Sequence, residues 1–502
     1  MLLPEVDRHA YRVFDIEKDI IVLAINVKCD EFTFPAHQLH TTAFPSQVKS
    51  KSSGVTSDSP RPTDCSLALR TPKDPFQVLM DSTNQLLDIL DETAFYSATS
   101  LRDDQLLEYT LFDDTPFTYR DAMKSVDSHK WMKAMEEEMA SRRANQTWVL
   151  ADLPFLKRAI QCRWVYKLKA DGTYKARLVV KGFRQKGGID FHETFSPVVR
   201  YESAKLFVAF AAIDYRQIHQ IDVKTAFLYG DLNEELYMRQ PEGFEDKNHP
   251  DKVCRLQKSI YGLKQAPLYW NDKISEHLHY LGFKRALSDF GLYFMDDIMI
   301  ALYVDDFLIS SRFPEKIQWV KDSILKKFEI KDLGLATKFL NINIHQHRGG
   351  ITLSLFDYIS DVLESLKLSE CNPNKLPCLP SEFDQLFDME RNKATLLDEQ
   401  KLNLYQSIIG KLHFAATTTR FDISHIVGVL SRFTRAPSEV HLGAPKRVVK
   451  YLKGTQNYGL VFNRDSTLKV YCDSDWASEK GDRKSISGYN VTFGGAPAVW
   501  RS

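Results

Sequence analysis

The alternation of apolar and polar positions becomes readable near Thr118. Beyond His129, Trp131, Met135 and Met139 recur every four residues with Glu136, Glu137 and Glu138 between them, which predicts an amphipathic helix. Trp164 to Leu168 and Tyr174 to Val180 read as strands, and Lys169-Ala170-Asp171-Gly172-Thr173 between them reads as a hairpin loop. The apolar run Leu206 to Ile213 predicts a buried helix, and Ile218 to Phe227 a strand running into another element. Further helices fit Trp270 to Leu281, Lys316 to Phe328 and Tyr358 to Leu368. A stretch of low periodicity, Cys371 to Lys393, precedes a helical region over 400–455, and a strand-rich segment begins at Leu468. Upstream, Ile20 to Val27 is rich in β-branched residues and predicts a small β unit over 1–35, followed by a Ser-, Thr-, Pro- and Lys-rich linker over 45–75. Helices mixed with short strands in this order imply an α+β fold.

Charge alters this picture locally rather than globally. The 502 residues carry 66 Lys and Arg against 66 Asp and Glu, a formal net charge of zero, so any nucleic-acid surface has to be local. Residues 151–200 supply one: eleven cations against four acids, beside Trp164, Tyr166 and Tyr174. Such a hairpin can grip phosphate, and a solvated strand face is the plainer alternative. Arg70 to Phe117 is the reverse, with ten acids against three cations, weakly patterned and expected to be mobile. Seven cysteines lie far apart with no C-x-x-C pair, which speaks against a disulfide framework or a zinc site. The apolar run Leu206 to Ile213 is far too short for a membrane span. Glu5, Asp7 and Arg8 do not fit a secretory signal, so a soluble intracellular protein without a membrane partner is expected.

The chemistry concentrates in Ile298 to Ile309, where two apolar strands flank the adjacent acids Asp305 and Asp306. Paired carboxylates in so apolar a hairpin are costly unless a cation neutralises them, although an acidic hairpin turn is common. Asp222, in Gln220-Ile221-Asp222-Val223-Lys224, sits in a second apolar strand pattern. Three carboxylates from neighbouring strands suit a pair of Mg²⁺ ions in phosphoryl transfer. A competing pair, Asp296-Asp297, lies nine residues upstream; the longer strand before Asp305 favours the downstream pair without deciding the matter. A glycosidase-like use of two acids across a sugar carries little weight beside the metal-cradle pattern.

Tyr303-Val304-Asp305-Asp306 resembles the Y-x-D-D signature of reverse transcriptases. In order before it stand Tyr174-Lys175-Ala176-Arg177-Leu178-Val179-Val180-Lys181-Gly182-Phe183, Glu193 to Arg200, Gln220 to Leu232, and Ile260-Tyr261-Gly262-Leu263-Lys264-Gln265-Ala266-Pro267. Together they resemble the polymerase of copia-type long-terminal-repeat retrotransposons over roughly residues 118–345. The resemblance implies a right-hand polymerase, with fingers and palm over 118–345, a thumb and connection region over 346–465, and the start of a truncated ribonuclease H-like domain over 466–502. Residues 1–35 resemble the small β-barrel that ends the element's integrase region, and 36–117 would be an acidic, disordered linker.

From the same resemblance, Asp222, Asp305 and Asp306 would be the catalytic, metal-binding acids, with two Mg²⁺, for which Mn²⁺ could substitute. Strand alternation puts Asp305 forward as the direct ligand and Asp306 as the lesser partner. Lys175 and Arg177 would hold the incoming triphosphate, and Phe227 would lie under its sugar, with core packing as the plain alternative. Lys264 and Gln265 match a segment near template and nucleotide. Asp473 matches the first ribonuclease H acid, whose partners would lie beyond Ser502, so no ribonuclease H activity is expected. Asp296-Asp297 would fall in a connecting turn. Lys446, Arg447, Lys450 and Lys453 could form a basic stripe toward nucleic acid or a solvated face. The implied activity is RNA-directed DNA synthesis from deoxynucleotides on an RNA template with a tRNA-derived or other primer. It would take place in a cytoplasmic virus-like particle or the nucleus, beside other Gag and Pol products. Departures from the family pattern are Leu268 for Arg, Asn341 for Gly, Phe421 for Pro, and shortened hairpins at 169–175 and 294–298. None of these touches the three acids, but the shortened hairpins and the truncation make a catalytically inactive, nucleic-acid-binding remnant the rival expectation.

Overall fold

The computed structural model describes residues 2–4, 11–15, 20–24, 115–169, 171–388, 395–474 and 485–502. The acidic linker expected over 36–117 lies almost wholly outside the described residues. Near the start, strands Leu2–Pro4, Tyr11–Asp15 and Ile20–Ala24 pair antiparallel in that order.

Helix α1 (Tyr119–Lys124) starts on a capping box in which Thr118 and Asp121 satisfy each other's backbone N–H groups. Helix α2 (Ser128–Ala144) buries Trp131, Ala134, Met135 and Met139, the stripe the four-residue spacing predicts. That stripe packs on an antiparallel hairpin of β1 (Cys162–Leu168) and β2 (Tyr174–Val180), registered from Cys162 opposite Val180 to Leu168 opposite Tyr174. Trp131 meets Tyr166 and Tyr174 edge-on at 5.3 and 4.5 Å. Along β2, Ala176, Leu178 and Val180 are buried, so the alternate residues Lys175 and Arg177 lie on the other face.

The central sheet has six strands: β3 (Gln217–Val223), β4 (Lys284–Arg285), β5 (Leu292–Met295), β6 (Ile298–Tyr303), β7 (Asp306–Ser311) and β8 (Ile330–Leu335). Their order is β4-β5-β6-β7-β3-β8, and every neighbouring pair is antiparallel. Ile218, Met299, Ala301 and Leu308 face one core, shared with helix α3 (Tyr201–Ile213). Ile221, Val223, Ile298, Ile300, Leu302, Phe307 and Ile309 face another, shared with α4 (Ala266–Tyr280) and α5 (Pro314–Leu325). Both faces are covered, which is why β6 and β7 read as unbroken apolar runs rather than alternating ones. Each large side chain so buried contributes ~1.5–3 kcal/mol.

The first core continues through the hairpin β9 (Ile342–His347) and β10 (Gly350–Ser354) to α6 (Phe356–Ser365), α7 (Glu399–Thr418), α8 (Ser424–Ser431) and α9 (Glu439–Gly454). Strand β11 (Gly459–Phe462) returns to pair with β10. The last sheet, β12 (Lys469–Ser474), β13 (Ser487–Phe493) and β14 (Ala496–Arg501), adds Val491, Phe493, Ala496, Ala498 and Val499 to the same core. Three details differ from the sequence reading. The strand expected over Ile218–Phe227 ends at Val223, because Thr225 takes φ 52° and the chain turns into a 3-10 helix at Ala226–Tyr229. The low-periodicity stretch 371–393 holds a helix at Pro380–Leu386, started by a proline. The boundary expected at 345/346 falls inside β9. Asn341 sits at φ 64°, a region Asn tolerates better than most residues. No described helix is long and apolar enough to cross a membrane.

Candidate active site

The acids meet at one end of the central sheet. Strands β6 and β7 are joined by Val304 and Asp305 alone, since Tyr303 pairs with Asp306. Only the first of these two loop residues has positive φ, Val304 at 55°, the pattern of a type II′ hairpin turn. Asp306, first in β7, stands directly opposite Asp222 on β3, so the two side chains share a face. Asp305 lies in the turn, where strand alternation no longer sets its direction, and its carbonyl accepts from the Val223 N–H at 2.9 Å. Lys331 on β8 flanks Asp222 from the other side.

All three acids are half-buried, and their electrostatics are those of crowded like charges. Burial, then the Asp305 charge, holds the Asp222 carboxyl above the ordinary range, against the pull of Lys175, Lys331 and Arg177. Burial raises Asp305, with Arg177 and Lys175 opposing it. Asp306 is pushed up to about 6 by burial and by Asp305 and Asp222, in spite of a hydrogen bond from Gln220 Nε2 to Oδ1 at 3.2 Å. Among the described residues no three His, Cys, Asp or Glu side chains are gathered closely enough to form a ready metal-binding group. The donor chemistry nonetheless suits a hard cation: oxygen ligands only, each destabilised as an anion by burial, Asp222 and Asp306 by neighbouring carboxylates as well.

The basic hairpin reaches this cluster electrically. Burial lowers the Lys175 ammonium, Arg177 and Lys169 lower it further, and Asp222 and Glu138 pull it back up. Arg177 lies 4.9 Å over the Tyr261 ring, and Tyr261 meets Phe227 edge-on at 4.7 Å. The hairpin is docked there by close backbone approach: Val180 N–H donates to the Tyr261 carbonyl at 2.8 Å. A Cβ at Gly262 (φ 94°) would be driven into the Val180 carbonyl, and one at Gly182 into the Gly262 carbonyl. Phe227 is half-buried and bridges two of the cores.

The other expected site residues are placed elsewhere. Gln265 is buried, its amide bonded to Gln185 at 3.0 Å and to the Asp190 carbonyl at 2.9 Å. Lys264 is exposed, with its ammonium 4.8 Å over the Phe191 ring. Both therefore tie the 260–267 segment to residues 185–191 rather than to the acids. The competing acid Asp297 is a structural group. It is buried in the β5–β6 turn, accepts from Ser311 Oγ at 2.6 Å and Arg312 Nε at 2.6 Å, and lies 3.4 Å from Arg216. Asp473 is exposed at the end of β12, beside a cavity of about 280 Å³ lined by Phe421, Tyr489 and Trp500. Of the proposed basic stripe on α9, Arg447 pairs with Glu382 at 3.0 Å and Lys453 donates to the Cys371 carbonyl at 2.7 Å. Sequence reasoning missed Gln220, Lys331 and Tyr261; each stood inside a quoted segment or beside one, but only strand register reveals what it faces.

Residues 145–380 match the family "Reverse transcriptase (RNA-dependent DNA polymerase)". The chain is 40% identical over 79% of its length to the retrovirus-related Pol polyprotein from transposon TNT 1-94 of Nicotiana tabacum, covering 31% of that protein. It is 37% identical over 76% of its length to the Pol polyprotein from transposon RE1 of Arabidopsis thaliana, covering 26% of it. With the putative transposon Ty5-1 protein of Saccharomyces cerevisiae it shares 41% identity over 56% of its length and 92% of that protein. The chain belongs to the reverse transcriptase family of copia-type retrotransposon Pol polyproteins. It spans between about a quarter and a third of the two plant polyproteins.

Proposed function

We propose that this chain is an RNA-directed DNA polymerase whose reacting centre is the acid cluster at the end of β3, β6 and β7. The observation that carries the reading is the gathering of three half-buried acids, Asp306 directly opposite Asp222 and Asp305 in the adjoining turn, within electrostatic reach of Lys175 and Arg177. In the right-hand description, the central sheet is the palm and the β1–β2 hairpin the fingers. Divalent cations, Mg²⁺ in the first instance, would activate the primer 3′-hydroxyl and stabilise the pyrophosphate that leaves.

Asp222, Asp305 and Asp306 would hold those cations through their carboxylate oxygens. Lys175 and Arg177 grip the triphosphate, the Arg through its planar fork. Phe227, fastened by Tyr261, lies under the sugar and crowds a 2′-hydroxyl. The primer oxygen forms a bond to the α-phosphorus, the bond from that phosphorus to the bridging oxygen of the β-phosphate breaks, and template pairing selects the base.

The test is Mg²⁺-dependent deoxynucleotide incorporation on primed poly-rA, beside an Asp305→Asn control. Incorporation that vanishes in the control supports the reading. A folded protein that binds template in a salt-sensitive way without incorporating establishes the inactive, nucleic-acid-binding alternative.

A further inference from the structure

The turn that carries Asp305 has an unfavourable backbone. Val304 is β-branched and sits at φ 55°, where such residues are outliers that persist only when their surroundings hold them. Beside the Tyr303–Asp306 pair and the Val223 N–H that donates to the Asp305 carbonyl, one side-chain contact holds the Val304 peptide itself. The indole Nε1–H of Trp270 donates to the Val304 carbonyl at 2.7 Å, from a side chain only 1% exposed.

Trp270 is itself held on several sides. It meets Phe328 edge-on at 5.3 Å and Tyr229 at 6.0 Å, and those two rings meet each other at 5.1 Å. The Tyr229 hydroxyl accepts the Glu329 N–H at 2.9 Å. Tyr229 ends the 3-10 helix that carries Phe227, so one aromatic cluster supports both the acid turn and the sugar-facing segment.

We propose that Trp270 is the positioning residue of the acid turn: its indole N–H holds the Val304 carbonyl and thereby sets where Asp305 presents its carboxylate. A buried indole N–H takes a partner in any case, so what marks a positioning role is that the partner is the strained Val304 peptide next to Asp305. The role rests on the reading of Asp305 as a group that holds catalytic cations. The contact itself stands on geometry alone.

The experiment uses the full chain with Trp270→Phe, which keeps an aromatic ring and removes the donor. A second variant carries β-(3-benzothienyl)alanine at 270, isosteric with Trp and lacking the N–H, in case the smaller ring does not fold. Hydrogen exchange followed by mass spectrometry reads the peptide spanning 298–311, and incorporation is measured against Mg²⁺ concentration. Exchange at the 303–306 turn should quicken by ~10-fold while peptides of α4 stay protected. The kcat should fall between ~10- and ~100-fold, because small misplacements of a reacting group have effects of that size. The half-saturating Mg²⁺ concentration should rise with template affinity unchanged. Turn exchange and Mg²⁺ dependence both unchanged in the isosteric variant would overturn the proposal and leave Trp270 as packing. A wild-type chain that fails to incorporate would sink the polymerase reading instead, and the exchange comparison would still decide the clamp.

Discussion

At the scale of single residues, Asp306 shows most plainly how burial and like charge act within the cluster. Its carboxyl, pushed up to about 6 in the folded chain, takes up a proton that the unfolded chain, near 3.8, does not. Between these values the folded state binds more protons, so the stability of the cation-free protein falls as pH rises through that window and stays low above it. Asp306→Asn should flatten that slope and raise the unfolding midpoint at pH 7.5 by the equivalent of ~1 kcal/mol, a usual exchange of stability against function. Thermal unfolding in EDTA at pH 5 and pH 7.5 checks this. A variant no more stable than wild type at the higher pH would count against a crowded anionic site.

At the scale of elements, the junction between the basic hairpin and the 260–267 segment depends on glycine at two facing positions, 182 and 262. Gly262→Ala combines a φ of 94° with a collision against the Val180 carbonyl. It should destabilise the protein by more than ~2 kcal/mol and, in the folded fraction, raise KM for deoxynucleotide. Gly172 at the hairpin tip is also at positive φ but has open space around it, so Gly172→Ala should cost only ~1 kcal/mol. Urea unfolding and KM for both variants test the contrast; equal effects would mean that the junction does not matter.

The elements were largely legible because their periodicities are local: α2, the β1–β2 hairpin and β6–β7 all lie where apolar spacing and turn residues expect them. Which acid pair faces Asp222 was not legible from periodicity alone; only the resemblance separated the two. Asp296-Asp297 and Asp305-Asp306 look alike in pattern, and what separates them is long-range: Ser311, Arg312 and Arg216 surround Asp297, whereas Asp222 faces Asp306 across a strand pair. The Trp270 contact was invisible for the same reason, since it joins residues 34 positions apart.

At the scale of the whole molecule, one core runs from α3 through α7 to the last sheet, and Lys205 sits in the seam. Its ammonium lies 3.4 Å over the Trp500 ring, next to a Trp500 Nε1–H that donates to the Ala416 carbonyl at 2.8 Å. Burial lowers this lysine to about 7. The unfolded chain keeps its proton up to about 10.5, so the folded state binds fewer protons in between, and this group's cost to stability is greatest near pH 7 and shrinks as pH rises. Lys205→Met should therefore be more stable than wild type near pH 7, by on the order of 2 kcal/mol, with the gap narrowing toward pH 10. A gap independent of pH would place the lysine outside the core.

The central claim is that Asp222, Asp305 and Asp306 together hold the cations of the reaction. Fe²⁺ in place of Mg²⁺, with ascorbate, primed template and deoxynucleotide present, cuts the backbone where the ion resides. Mass spectrometry of the fragments should show cuts around 222 and 303–306 that disappear in Asp222→Asn. Cuts confined to other segments, or unchanged in the variant, would contradict the account.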